Sequence, residues 1–582
     1  MKRYFTDRRT FLKIGGFIGP AAVSSDSFGA GAHSDLPPQF LSNGSNRQRV
    51  TSADLSPWVP SGSQPWDVHT INHLYRRTGF GATLSEINAA SGKTPAQVID
   101  ALLDDTLLTG AKLPADPRYA DQWMQVPPYL GTDLYLTARQ QTTYFNAAME
   151  MRRHWTVQMS QPDRMMREKM TLFWMDHFVI EARKVNYPVC TYNYLTYFRK
   201  NAWGNFKKIA SDVTTFSAML IYLDGILNAG AAPNENYARE LQELFLMGIF
   251  DKDGKPNYTQ ADVEGIAHVL TGWTVDVTAQ APNVLPAVYN TGLHDSSKQI
   301  IYDGIPRQYN LTASGASMEK DIIDHIFDRR GDQTAWYICS KLYQYFVYHD
   351  ISGDSERAVI TEMADLLKTS NWEFKPVLTK LLNSAHFFDE ANIGAQIKSP
   401  YEHIIGLLRP FDIQLPENTP SGQGELTAGT LYYYARAGSQ ELLDPPNVKG
   451  WPGYHTWISA TTLPYRGTYI QTSLLISGNL PTMGVDGYGE NHYPVFLPDG
   501  MIISWGKQFT NYAGTFDDLV KEMAAYLCAH TPSAKALKYV RSKFFPNISY
   551  EWSDPTITDT ERVGILRQLA NEIMLLADYQ LC

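Results

Sequence analysis

The sequence predicts a mainly α protein: a large multi-helical body interrupted by two short insertions rich in strand and loop residues, at about 274–312 and 479–512. Three observations predict it. Apolar residues recur at helical spacing through most of the chain after residue 67. Residues 234–273 read as a helical hairpin with its start and stop signals in place. The helical period is lost in the two insertions, the first rich in Val, Thr, Tyr, Asn, Gly and Pro, the second in Gly and aromatic residues.

Residues 1–32 read as an export signal of the twin-arginine type. Lys2, Arg3, Arg8 and Arg9 precede a weakly apolar segment from Ile14 to about Ser25, and Ala30-Gly31-Ala32 offers small residues for cleavage. The string Asp7-Arg8-Arg9-Thr10-Phe11-Leu12-Lys13 resembles the twin-arginine signal, with Asp7 where serine or threonine is usual. The expected location is periplasmic or otherwise extracytoplasmic. Residues 33–66, rich in Ser, Pro, Gly and Asn, read as a flexible linker, which leaves the folded domain over 67–582. No run of eighteen or more apolar residues occurs, so no integral membrane segment is expected in the mature chain.

Removing residues 1–32 takes five Lys or Arg and two Asp or Glu from totals of 50 and 60, leaving 45 basic and 58 acidic residues and a net charge of −13. That balance argues against nucleic acid as a partner. The cysteines at 190, 339, 528 and 582 include no C-x-x-C pair, so their spacing gives neither a structural zinc site nor a disulfide framework.

Helical patterns then follow at 71–77, 96–103, 135–159, 164–179, 191–212 and 216–222. In the fourth, Met166, Met170, Phe173 and His177 share one apolar face, with Asp176 beside the histidine. A histidine so placed is more often a satisfied core residue than a ligand or general base, although its place at a helix end leaves it available. Helices resume at 318–327, 334–346, 356–367, 374–383 and 399–408, the second carrying Lys341 among aromatics, and helices from Phe516 onward close the chain.

In the hairpin, Tyr237, Ala238, Leu241, Leu244 and Phe245 form the apolar stripe of the first helix, which stops at Gly248. Thr259 with Asp262 three residues later marks the second start, and Gly272 the stop. Glu235, Arg239 and Glu243 are four apart and form either a solvated ladder or, because Leu246 and Met247 flank that column, a face set against a cleft. The loop His294-Asp295-Ser296-Ser297-Lys298 packs imidazole, carboxylate, hydroxyl and amine into five residues; it reads equally as a turn and as the border of a site. The stretch from Asp444 to Trp457, D-P-P-N-V-K-G-W-P-G-Y-H-T-W, describes a rigid loop. Its Trp451, Tyr454 and Trp457 either stack on a flat ligand, with Asn447 and Lys449 as polar contacts, or plug the helical core.

Taken in order, Arg76-Arg77-Thr78-Gly79-Phe80-Gly81, Phe173-Trp174-Met175-Asp176-His177-Phe178, Asn234-Glu235-Asn236-Tyr237-Ala238-Arg239-Glu240-Leu241, Tyr258-Thr259-Gln260-Ala261-Asp262-Val263, Leu270-Thr271-Gly272-Trp273, His294-Asp295 with Lys298, and Pro446-Asn447-Val448-Lys449-Gly450-Trp451-Pro452-Gly453 form an ordered set. The set resembles a large bacterial family known only as domain of unknown function 1800. The resemblance implies a predominantly helical exported protein, often encoded beside a companion exported protein of an alkaline-phosphatase and sulfatase-like family. It implies no reaction. This chain has Phe245-Leu246-Met247-Gly248 where a histidine-containing H-T-L-G often follows.

Three functional classes follow. The first is an extracytoplasmic hydrolase or lyase, on polysaccharide or a related polymer. Glu240 or Glu243 would be its acid or base, Arg239 its charge-fixing or anion-binding group, and His177 or His294 its proton relay, with Asn234, Lys298, Asn447, Lys449, Trp451 and Trp457 as substrate contacts. The second is a metal or redox protein binding a divalent metal through Asp176, His177, Glu240, Glu243, His294 and Asp295. The third is a non-catalytic binding or assembly protein whose charged motifs are buried clamps.

Overall fold

Helix starts in this chain are written by side chains that satisfy their own first turn. Capping boxes open helices at Asp67, Thr83, Thr94, Thr259, Ser399 and Thr558, each closed by a partner three residues on. The computed structural model of the protein describes residues 53–104, 138–276, 285–309, 318–417, 423–475 and 495–582, apart from positions 496, 547, 549–551, 553 and 555. Among the described residues there are 21 α-helices and two antiparallel two-stranded sheets, so the fold is mainly α. The export signal at 1–32 lies outside the described residues, as do 33–52 of the expected linker.

The rest of that linker is packed. Leu55 and Trp58 are buried, Trp58 stacks on Phe388 at 4.3 Å, and its main-chain N–H donates to the Asn383 carbonyl at 2.8 Å. Two apolar residues, Leu55 and Trp58, anchor it, while Val59 between them and the first helix stays exposed.

The helix Met165–His177 lies at the centre, with every residue buried except Asp176. Its charged residues are therefore all partnered inside the protein. Glu168 accepts from Arg199 at 2.5 and 3.0 Å, the Lys169 ammonium pairs with Glu402, and the Arg167 guanidinium lies 4.1 Å over the Trp203 ring. Trp174 anchors an aromatic cluster with Phe178, Phe198, Phe206 and Phe374. This packing fixes the C-terminal turn that carries Asp176 and His177.

Several boundaries differ from the sequence reading. The segment 191–212 is two helices, Pro188–Lys200 and Phe206–Thr214. The break is tertiary: Asn205 caps the second helix through the Lys208 N–H, and the Phe206 N–H donates to the Trp372 carbonyl at 2.8 Å. The two helices read at 318–327 and 334–346 are both present, joined within the run Met318–Phe346 at Arg330, whose backbone leaves the helical region at φ −130° and ψ 22°. The first insertion contains Trp273–Val275 paired with Ala287–Tyr289, and Gln299–Ile300 paired with Pro306–Arg307. Of the second, residues 479–494 lie outside the described residues, while Asp499–Gly506 is helical and buries Ile502 and Trp505. The four cysteines are buried free thiols. Among the described residues no helix is long and apolar enough to cross a membrane.

Candidate active site

Asp176 stands in the last turn of the central helix, where the carbonyl end of the helix dipole already disfavours a carboxylate. Burial raises its pKa to about 7; the Trp451 N–H and the Lys341 charge pull the other way without reversing it. The contact with Trp451 is a main-chain N–H donated to Asp176 Oδ1 at 2.6 Å. The loop from Asp444 is built to deliver it. Asn447 Oδ1 accepts from the Lys449 N–H at 2.8 Å, its carbonyl accepts from the Gly450 N–H at 3.1 Å, and Gly450 turns at φ +80°.

His177 is the next residue and does something different. Its Nε2 lies 2.8 Å from the Phe245 carbonyl, so Nε2 carries the proton and donates. Burial, with the Lys341 charge second, lowers its pKa to about 3, so the ring stays neutral. It ties the central helix to the motif helix of the hairpin. That motif helix is α-helical only over Asn236–Glu240 and continues as a π-turn over Leu241–Leu246, where the Met247 N–H reaches the Gln242 carbonyl at 3.0 Å. Buried Gln242 holds the wider turn through Ala238 O at 3.0 Å and the Tyr302 hydroxyl at 2.8 Å.

The kinked helix Met318–Phe346 closes the other side. Tyr337 donates to the Leu244 carbonyl at 3.1 Å, and Lys341 sits 5.6 Å from the Tyr337 ring centre. Between these elements lies a cleft of about 370 Å³, walled by Asp176, His177, Lys341, Lys449 and Trp451 among others. Tyr454, stacked on His349 at 3.5 Å between ring centres, also lines it. On the motif helix, outside the residues that line the cleft, Glu243 accepts from the Tyr258 hydroxyl at 3.2 Å. Glu240 is half-buried, and burial followed by the Glu243 charge raises its pKa against the pull of Lys449 and Arg239.

The structure thus brings Asp176, His177, Lys449 and Trp451 to one cleft, with Glu240 linked to it electrostatically through Lys449. The remaining sequence candidates lie elsewhere. Arg239 pairs with Glu235 at 2.8 Å and Gln260 at 3.0 Å as a partly exposed ladder. Asn234 organises the helix start, accepting from the Asn236 N–H at 2.9 Å. Asn447 serves its own turn, and Trp457 is buried at the end of the 3-10 turn Tyr454–Trp457. His294 and Asp295 meet Thr271 and His268 instead: His294 Nδ1 is 3.1 Å from Thr271 Oγ1, and Asp295 Oδ2 is 2.5 Å from His268 Nδ1. Lys298 is exposed.

Sequence reasoning missed Lys341 as a site residue and His268 altogether. The signal for Lys341 was one cation in an aromatic helix; His268 sat unremarked in the apolar pattern before Thr271. Among the described residues no three His, Cys, Asp or Glu side chains gather closely enough to hold a metal ion. The metal candidates divide between the cleft and the Asp295 loop, and the His177 nitrogen nearest a partner is committed to a carbonyl.

The family described as "Protein of unknown function (DUF1800)" matches residues 73–580, nearly all of this architecture. The chain belongs to the DUF1800 family. Comparison with curated proteins and with solved structures gives no match. Within this DUF1800 chain, two of the motifs read from the sequence line the cleft, the one around Asp176 and the Gly450 loop, and the Glu240 helix reaches it through Leu244 of its π-turn. Arg76 and Arg77 act as clamps, Arg76 on the carbonyls of Tyr526 and Cys528 and Arg77 on those of Val347 and Asn392.

Proposed function

We propose that this DUF1800 protein is an extracytoplasmic acid–base enzyme, a hydrolase or lyase on polysaccharide or a related polymer, with Asp176 as its acid. One observation carries the reading: the Asp176 carboxyl lines a cleft of about 370 Å³ together with Lys341, in surroundings whose burial pushes that carboxyl up to about 7. An acid with that pKa is half protonated near neutrality and can give its proton to a leaving oxygen. The Lys341 ammonium would stabilise negative charge that develops as a bond breaks. Glu240, which feels the charge of the cleft residue Lys449, or its neighbour Glu243 would supply a second carboxylate, the base of a hydrolytic mechanism. His177, neutral and bonded to Phe245, positions the helix end rather than relaying protons.

The twin-arginine-like string at residues 7–13 supports an extracytoplasmic site of action. A companion of the alkaline-phosphatase and sulfatase-like family fits the same reading, because ester removal and chain cleavage can act on one polymer. The test is a panel of neutral, amino and uronic polysaccharides offered to wild-type protein, Asp176→Asn and Lys341→Met. New reducing ends report hydrolysis, and ultraviolet absorbance of an unsaturated product reports elimination. Cleavage that survives Asp176→Asn overturns the assignment.

The non-catalytic reading is favoured by a different observation, the fully buried pair Glu168–Arg199 and the carbonyl clamps of Arg76 and Arg77. On that reading polymers bind without being cut, and binding is unchanged in Asp176→Asn.

A further inference from the structure

Away from the cleft, a small cavity of about 20 Å³ lies between the helices Val68–Thr78 and Pro400–Leu408 and the last turn of the chain. That is room for one occupant the size of a water molecule. Its wall carries two cationic side chains, Arg76 and Lys398, and one acidic side chain, Glu402, beside the last residue, Cys582. The carboxylate is already taken by the Lys169 ammonium and by the Ser399 N–H at 2.5 Å. Arg76 reaches only neutral carbonyls, those of Cys528 at 2.7 Å and Tyr526 at 2.6 Å.

Lys398 is 4% exposed, and its ammonium rests 3.7 Å from the centre of the Tyr579 ring. Among the described residues it makes no ion pair with an acidic side chain, and the Tyr579 ring face is what it meets instead. A further buried cation, Arg466, donates to the Lys398 carbonyl at 2.7 Å. The Tyr579 hydroxyl, on the same cavity wall, is buried with no hydrogen-bond partner. On this wall two cationic side chains stand against one acidic side chain that Lys169 already holds, and with a donor hydroxyl left over they favour a negative occupant.

We propose that this cavity binds one small monovalent anion of the chloride class, held by Lys398 and the Tyr579 hydroxyl in the field of Arg76. The anion ties the last turn of the chain to the helix of the Arg76-Arg77 motif. Burial, with the Arg76 charge second, lowers the Lys398 pKa to about 7, so an anion at this place also keeps the ammonium protonated at neutral pH.

The experiment compares thermal unfolding in sodium chloride, bromide and gluconate at fixed ionic strength, the last anion being too large to enter. The wild-type midpoint is expected to rise with the logarithm of chloride or bromide concentration but not with gluconate. Lys398→Met is expected to lose that dependence. In parallel, crystals of the unmodified protein soaked in bromide should show an anomalous peak within hydrogen-bond distance of Lys398 Nζ, a readout that stands even if the variant fails to fold. A midpoint indifferent to anion identity, an anion dependence retained in Lys398→Met, or a bromide soak with no peak beside Lys398 overturns the proposal in favour of a neutral lysine and a water.

Discussion

Gly450 and Asp176 are in contact that only glycine permits. A Cβ built on Gly450 would fall 2.2 Å from Asp176 Oδ1 and 2.5 Å from its carbonyl oxygen, at a backbone φ of +80°. The missing side chain is what lets the following N–H, that of Trp451, reach the carboxyl at 2.6 Å.

Gly450→Ala is therefore expected to cost about 1–2 kcal/mol from the left-handed backbone alone, with a further cost because either the loop or Asp176 must move. The cleft should open and activity fall together with stability. Denaturant unfolding beside an activity assay checks this. A variant as stable as wild type would mean the loop does not hold Asp176 as described.

Asp176 and His177 pull the pH dependence of stability in opposite directions. The Asp176 pKa is raised on folding from 3.8 to about 7, so in that window the folded chain keeps a proton that the unfolded chain has lost, and stability falls as pH rises. The His177 pKa is lowered from 6.5 to about 3; there the unfolded chain holds the extra proton, and stability rises with pH. The two contributions offset each other over the shared range. Relative to wild type, Asp176→Asn should gain stability between about pH 4 and 7, by on the order of a few kcal/mol. His177→Gln should change in the opposite sense. Urea unfolding at several pH values measures both, and variant profiles parallel to wild type would contradict the account.

Catalysis should follow the same carboxyl. Asp176→Asn is expected to lower kcat roughly 10²–10⁴-fold with the fold intact. Lys341→Met removes a charge that favours the ionised carboxylate, so the alkaline limb of the pH profile should move upward while the maximal rate falls. A limb that stays in place would detach Lys341 from Asp176.

The two kinds of charged pair should separate cleanly in stability. Arg199→Met leaves the wholly buried Glu168 without its partner, an expected loss of about 3–5 kcal/mol. Arg239→Gln touches only the partly exposed ladder with Glu235 and should change stability by less than about 1 kcal/mol. Equal effects would refute the burial pattern around the central helix.

Much of the fold was legible in the sequence because its signals are local. Thr259 with Asp262, and Ser399 with Glu402, announce their helices within one turn. The π-turn after Glu240 was not legible, since the hydrogen bond that holds Gln242 in place comes from Tyr302, sixty residues away. The hairpin therefore read as a plain α-helix. The site was half legible: the motifs named Asp176, His177 and Lys449, but the neighbour that faces them, Lys341, arrives on a helix that periodicity cannot place. The His294 loop reads equally as a turn and as the border of a site; the turn is there, with Asp295 Oδ1 accepting from the Ser297 N–H at 2.9 Å, while the hydrogen bonds of Asp295 to His268 and Thr271 are ones that no spacing predicts.

The most direct test is the titration of the Asp176 side-chain carboxyl in the folded protein, followed by carbon NMR on aspartate-labelled chain and assigned by its absence in Asp176→Asn. The account predicts a midpoint of about 7. A midpoint near 4, the ordinary carboxylate range, would contradict it and leave the cleft without its acid.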